Sequence, residues 1–120
     1  MSDEKIELAR SAVACEGWRW MEGMVGIRDS GTKFDGGRHR VTIKTRSTMD
    51  NIGWLPDLSD PATLGCLLHL VREAWGDDDI SPRYQSGSWF IHTSEHQITA
   101  SSYVEVLVVA LEVAQEAADE

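Results

Sequence analysis

Leu64, Leu67, Leu68, Val71 and Trp75 recur at helical spacing within LPDLSDPATLGCLLHLVREAWG, residues 55–76. They gather on one side of a cylinder, with Gly65, His69, Arg72 and Glu73 across from them. Asp60 stands where an N-cap carboxylate accepts a first-turn N–H, and Pro61 suits the first helical position, where a missing N–H costs nothing. Gly76 supplies the left-handed residue on which helices often end. The pattern predicts a helix over about 61–75, the element around which the rest of the chain is organised.

Ahead of it, Ile6, Ala9, Ala12 and Val13 make a narrow stripe of small side chains that predicts a first helix over 4–15. Ser2 or Asp3 is its cap and Gly17 its stop, and the alanines allow a close neighbour. Trp18 and Trp20, two apart, point the same way on an extended chain. They read as one edge of the core or, with Arg19 between them, as an exposed aromatic anchor, and both readings hold if one ring is buried and the other is not. Met24–Ile27 and Arg40–Thr45 are β-prone runs, the second alternating cleanly, and Asp29–Thr32 and Asp35–Gly37 between them are turn chemistry. The polar stretch 47–53 and Trp54-Leu55-Pro56 then lead into the central helix.

Beyond Gly76, Asp77, Asp78 and Asp79 read as a solvated turn. Residues 83–92 read as extended chain around Gly87, with Trp89 and Ile91 on one side and Phe90 and His92 on the other. Ser86-Gly87-Ser88 is a bend or bulge there, 93–96 a turn and 97–100 a return strand. Ser102 and Glu105 have the spacing of a capping box, in which each side chain satisfies the other's backbone N–H. Val104, Leu107, Val108, Leu111 and Ala114 form the main stripe of a last helix over 102–117, widened by Val106, Val109, Ala110 and Val113. A face that wide implies burial on more than one side. The order α-β-β-α-β-β-α predicts a single α+β domain, 1–120, with about three helices packed on a small, mainly antiparallel sheet of about four strands.

Charge changes the picture more than composition does. The formal charge is −9, which argues against a general binder of nucleic acid or anionic membrane and permits a basic protein partner. It is unevenly spread. Residues 27–46 carry Arg28, Lys33, Arg38, Arg40, Lys44 and Arg46 against Asp29 and Asp35, whereas residues 47–120 carry only Arg72 and Arg83 against 13 acids. One basic hairpin on an acidic body is expected. Ordinary solubility charge is the plain account of the acidic half. The sharper one is a surface that meets a basic partner, with steering that weakens as salt rises. The basic hairpin could instead touch phosphate, although only Phe34 is interleaved with its charges.

Candidate chemistry is sparse. Cys15 and Cys66 both fall on expected helices, so free thiols and a reducing, cytoplasmic setting are expected. Asp3 and Glu4 stand where a signal peptide would carry basic residues, and the longest apolar run, Val106–Leu111, is too short to span a bilayer. His92 and His96 flank a strand end and turn rather than one helix face, and Cys66 and His69 lack further ligands, so no metal site is expected. The Asp77–Asp79 run lacks the alternating ligands and glycine turn of a calcium loop. No G-x-S-x-G elbow, phosphate loop or zinc deaminase pair occurs, and neither a cofactor nor catalysis is expected.

The stretches GWLPDLSDPATLGCLLHLVREAWG, GSWFI and SSYVEVLVVALEVA, with the Gly-Trp-Arg-Trp-Met segment after the first helix, resemble small proteins of tailed phages and prophages of proteobacteria. Over residues 53–115 the spacing resembles the phage ABA-sandwich domain. The chain departs from that pattern at His69 and at Asp77–Asp79, and residues 24–50 match nothing in it. The resemblance implies a phage origin and assigns no activity.

Together these features lead to an expected function: a small acidic phage-encoded protein that acts stoichiometrically on a host protein, as an anti-CRISPR inhibitor of a bacterial defence complex would. Asp77, Asp78, Asp79, Glu73, Trp18 and Trp20 are the expected contacts. Arg28, Lys33, Arg38, Arg40, Lys44 and Arg46 form a possible basic contact. The alternative is a structural or assembly role, with the broad face of the last helix forming a homodimer.

Overall fold

The central helix forms where its caps place it. Helix α2 (Pro61–Trp75) opens on Asp60, whose Oδ2 accepts from the Thr63 N–H at 2.9 Å. It closes on Gly76 at φ 64°, ψ 31°. There the Gly76 N–H donates to Glu73 O at 3.2 Å and the Asp77 N–H to Arg72 O at 3.0 Å, the paired bonds that satisfy a helix's last carbonyls. In the computed structural model the described residues are 3–29, 34–42, 45, 49, 54–93 and 96–118; side chains 3, 28, 29, 34–38 and 118 lie outside the description.

In chain order the elements are α1 (Asp3–Val13), β1 (Val25–Asp29), β2 (Phe34–Arg40), β3 (Trp54–Pro56), α2, β4 (Arg83–Gln85), β5 (Ser88–His92), β6 (Gln97–Ala100) and α3 (Tyr103–Ala118). The fold is α+β, with six strands in two three-stranded antiparallel sheets, β2-β1-β3 and β4-β5-β6. One sheet of about four strands is therefore corrected to two sheets.

The extra strands have specific causes. Trp54–Pro56 is a ladder partner of β1 rather than a lead-in, pairing Leu55 with Ile27 and Pro56 with Gly26. Three residues are too few to show alternation. β2 lies at 34–40, earlier than the expected 40–45, so Asp35, Gly36 and Gly37 stand within a strand instead of a turn, at the irregularity between the Arg38–Ile27 and Phe34–Asp29 pairs. Pairing with β1 on either side of this break decides it, and glycine inside a strand often marks such a bulge. Val41 prolongs the pairing through its N–H to Met24 O at 2.8 Å. Thr42 and Thr45 then close a turn on each other, the Thr42 N–H donating to Thr45 Oγ1 at 2.9 Å. Ile43, Lys44 and residues 30–33, 46–48, 50–53, 94 and 95 lie outside the described residues.

The expected single stretch 83–92 is a two-residue hairpin. Ser86 (φ 54°) and Gly87 (φ 83°) both sit at positive φ, as a turn matched to strand twist requires, and Tyr84 pairs with Trp89 across it. Gly87→Ala should lower the melting temperature by about 4 °C, because a side chain there costs about 1 kcal/mol. Ser86→Asn should raise it by about 2 °C, since Asn tolerates the left-handed region. Thermal melts followed by circular dichroism check both.

Helix α3 sits at the centre. Glu105 accepts at its Oε1 from the Ser101 N–H at 3.2 Å, and the Glu105 N–H donates to Ser102 Oγ at 3.1 Å, a capping box shifted by one residue on its return bond. Val106, Leu107, Val108, Ala110, Leu111 and Ala114 are buried. The helix packs on α1, α2, β5 and β6 at once. Trp75 of α2 also donates its indole N–H to Ala110 O at 3.0 Å. The chain therefore covers most of this apolar face itself, with Val104, Val109 and Val113 left partly exposed. Ile91 and Ile98, opposite each other on β5 and β6, complete this side of the core.

Candidate interaction surface

The aromatic segment after α1 divides as a core edge would. Trp20 is 4% exposed and lies over the first sheet, where a Cβ on Gly26 would stand 3.4 Å from its ring and 2.4 Å from Met49 Cε. The missing side chain at Gly26 is what lets both residues lie on β1. As a partner contact Trp20 is corrected: its ring presents no surface. Trp18 is half-buried, edge-on to Trp20 at 5.4 Å, with its indole N–H enclosed and unpaired among the described residues.

Arg19, between the two tryptophans, points outward to α2 and takes Glu73 in a two-pronged ion pair, with Nη2 donating to Oε2 at 2.8 Å. His69 Nε2 is 3.7 Å from the same carboxylate. Glu73 thus already has a cation beside it, while both side chains stay about half exposed. The hydrogen bonds from Arg19 hold its carboxyl below the ordinary carboxylate value, and Arg19 is raised in turn. What the pair contributes is therefore present above the unfolded carboxyl's pKa and fades as pH falls through the lower folded value. In an NMR pH titration Glu73 should titrate below ordinary glutamates, and Arg19→Met should return it to their range.

Asp77, Asp78 and Asp79 form the turn after α2. Asp77 Oδ1 accepts from the Asp79 N–H at 2.9 Å, so Asp77 holds the turn in shape. Arg72, the basic residue of the last helical turn, spends its Nε on Ile80 O at 2.8 Å and anchors the far side. The side chains of Asp78 and Asp79 are exposed, with no cation paired to either among the described residues.

Of the six basic residues in 27–46, only Arg40 has a described side chain. It donates to Gly23 O at 2.7 Å and reaches Asp60 Oδ1 at 3.5 Å, tying the first sheet to the α2 cap. Arg28 and Arg38 lie on β1 and β2 by their backbone, and Lys33, Lys44 and Arg46 lie outside the described residues.

The hairpin β4–β5 carries residues that sequence reasoning passed over. Tyr84 is 62% exposed. Its ring lies 5.4 Å from Trp89, and Trp89 lies 5.2 Å from Tyr103 at the start of α3, a ladder of three aromatic rings. The ladder ends at a cleft of about 310 Å³ lined by Glu4, Lys5, Leu8, Ser102, Tyr103 and Val104. A two-residue Ser-Gly turn between RYQ and SWFIH was the readable signal for this placement.

The thiols and histidines do not converge. Cys15 follows α1 rather than lying on it and is buried; burial, and then the Glu112 carboxylate, push its thiol up to about 11. Cys66 is also raised, mainly by burial. Both cysteines are free. Protonated thiols are weak nucleophiles. His92 stacks edge-on against Phe90 and His96 packs on Trp75, so the two rings serve different neighbours. Among the described residues no group of His, Cys, Asp or Glu is placed to hold a metal, and no helix is long and apolar enough to cross a membrane.

No family model, curated protein or solved structure matches the chain, so the resemblance to phage proteins rests on the residues quoted for it alone.

Proposed function

We propose that this chain acts by stoichiometric binding to a protein with a basic surface, using the Asp77–Asp79 turn as a contact. The phage-like resemblance supplies the concrete version: the partner is a bacterial defence complex, inhibited in the manner of an anti-CRISPR protein. One observation carries the reading. Asp78 and Asp79 are exposed and unpaired among the described residues, just beyond the C-terminus of α2. A helix C-terminus bears partial negative charge, so the helix dipole does not favour carboxylates placed close beyond it. Folding gains nothing from them, whereas a cationic partner would relieve the repulsion. On a body of formal charge −9 they would also speed association at low salt.

The double variant Asp78→Lys, Asp79→Lys separates folding from binding. Its melting temperature should rise by about 4 °C, because cations replace like charges at a helix end. In pull-downs from bacterial lysate, the wild-type chain should retain a partner at low salt and release it at high salt, and the variant should retain none. Equal capture by both would remove the turn from the proposed contact.

A further inference from the structure

The aromatic ladder runs from the core to the surface: Tyr103 and Trp89 pack half-buried against the core, and Tyr84 stands outside it. Tyr84, Trp89 and Tyr103 follow one another at 5.2–5.4 Å, the first pair tilted and the second edge-on, yet neither tyrosine hydroxyl nor the Trp89 indole N–H finds a hydrogen-bond partner among the described residues. Burying Tyr84 on folding would have stabilised the chain, since a tyrosine offers a large apolar ring. Instead the hairpin turn holds it outward, at 62% exposure, on a strand whose three residues are all exposed. The ladder then runs into the cleft lined by Leu8, Tyr103 and Val104, which also carries Glu4 and Lys5, the latter donating to Ser59 Oγ at 3.1 Å.

We infer that this ladder is an arginine- and lysine-reading surface, along which a cationic segment of a partner protein lies, its side chains over the Tyr84 ring and beside Trp89. This inference rests on the reading of the chain as a binder of basic proteins and extends it to a second, aromatic contact. Three observations select this occupant. Ring faces attract guanidinium and ammonium groups, and tyrosine and tryptophan are the residue types that dominate interface energetics. Asp79 is four residues from Arg83 and five from Tyr84, a reach of at most about 18 Å, so acidic turn and ladder fit within one interface, which spans about 30 Å. The formal charge of −9 sets a second copy of the chain, and any nucleic acid, against the same field that attracts a cation.

An arginine octapeptide is a direct probe, titrated into the full chain while the Trp89 indole N–H resonance is followed by NMR. The expected result is a saturable shift at Trp89 whose dissociation constant rises about three- to tenfold in Tyr84→Ala and is kept in Tyr84→Phe, which retains the ring. Peptide binding that Asp78→Lys, Asp79→Lys abolishes while Tyr84→Ala leaves unchanged would overturn the ladder contact and leave the acidic contact standing. A wild-type chain that binds no peptide would overturn the inference, and lysate capture sensitive to the aspartate reversal would then uphold the wider reading alone. Self-association at micromolar concentration, lost in Tyr84→Ala, would overturn it in favour of a second copy.

Discussion

Thr63→Val should lower the stability of this protein by about 2–3 kcal/mol and its melting temperature by about 8–12 °C, although the two side chains have nearly the same shape. Thr63 is 0% exposed, in the first turn of α2. Its Oγ1 accepts from the Val25 N–H at 2.8 Å and donates to Asp60 Oδ2 at 3.0 Å. Val25 O in turn accepts from the Asp57 N–H at 2.8 Å, and Arg40 reaches the other oxygen of Asp60. One hydroxyl thus joins the central helix to the central strand of the first sheet. Valine would leave a buried N–H with no acceptor, and an unsatisfied buried group costs its full desolvation. Thr63→Ser keeps the oxygen and should lose less than half as much. Urea denaturation compares the three; a Thr63→Val loss no larger than that of Thr63→Ser would mean that packing, not the hydroxyl, matters there.

The second large effect is expected at Leu111, 1% exposed on α3. Leu111→Ala should cost about 3 kcal/mol, or about 12 °C, through lost burial and the cavity left behind. Gly17 offers an unusual check on this. A Cβ built there would stand 3.1 Å from Leu111 Cδ1 and 3.5 Å from Ala74 Cβ, so the glycine is where the turn after α1 meets α2 and α3. In the wild-type chain Gly17→Ala presses on Leu111 and should be neutral to slightly destabilising. In the Leu111→Ala chain the same methyl enters vacated space, and the double variant should melt about 2–4 °C above the single one. Equal effects of Gly17→Ala in both backgrounds would show that the two positions do not couple.

What was legible at the start follows from which forces are local. The three helices announce themselves because caps and stripes act within four residues: Asp60, Pro61 and Gly76 bound α2, and Ser102 with Glu105 starts α3. The width of the α3 stripe also foretold its central place, since an apolar face on several sides must be covered on several sides. The candidate surface was legible in part. The exposed aspartates stand where the charge run put them, but Glu73 is paired with Arg19, a residue 54 positions away, and no local pattern records that pairing. Trp18 and Trp20 share a spacing and part company only because Gly26 and Met49 make a seat for one of them.

By itself, then, the sequence determined the helices, the antiparallel α+β class and the charge imbalance, all of which arise from propensity and patterning over short spans. Only the tertiary structure decided that Trp54–Pro56 is a strand, that the strands divide between two sheets, and that Tyr84, Trp89 and Tyr103 form one ladder. Those outcomes depend on partners distant in sequence. A three-residue strand exists only because β1 offers it hydrogen bonds, and a surface of aromatic rings exists only where a turn and a helix start bring them together.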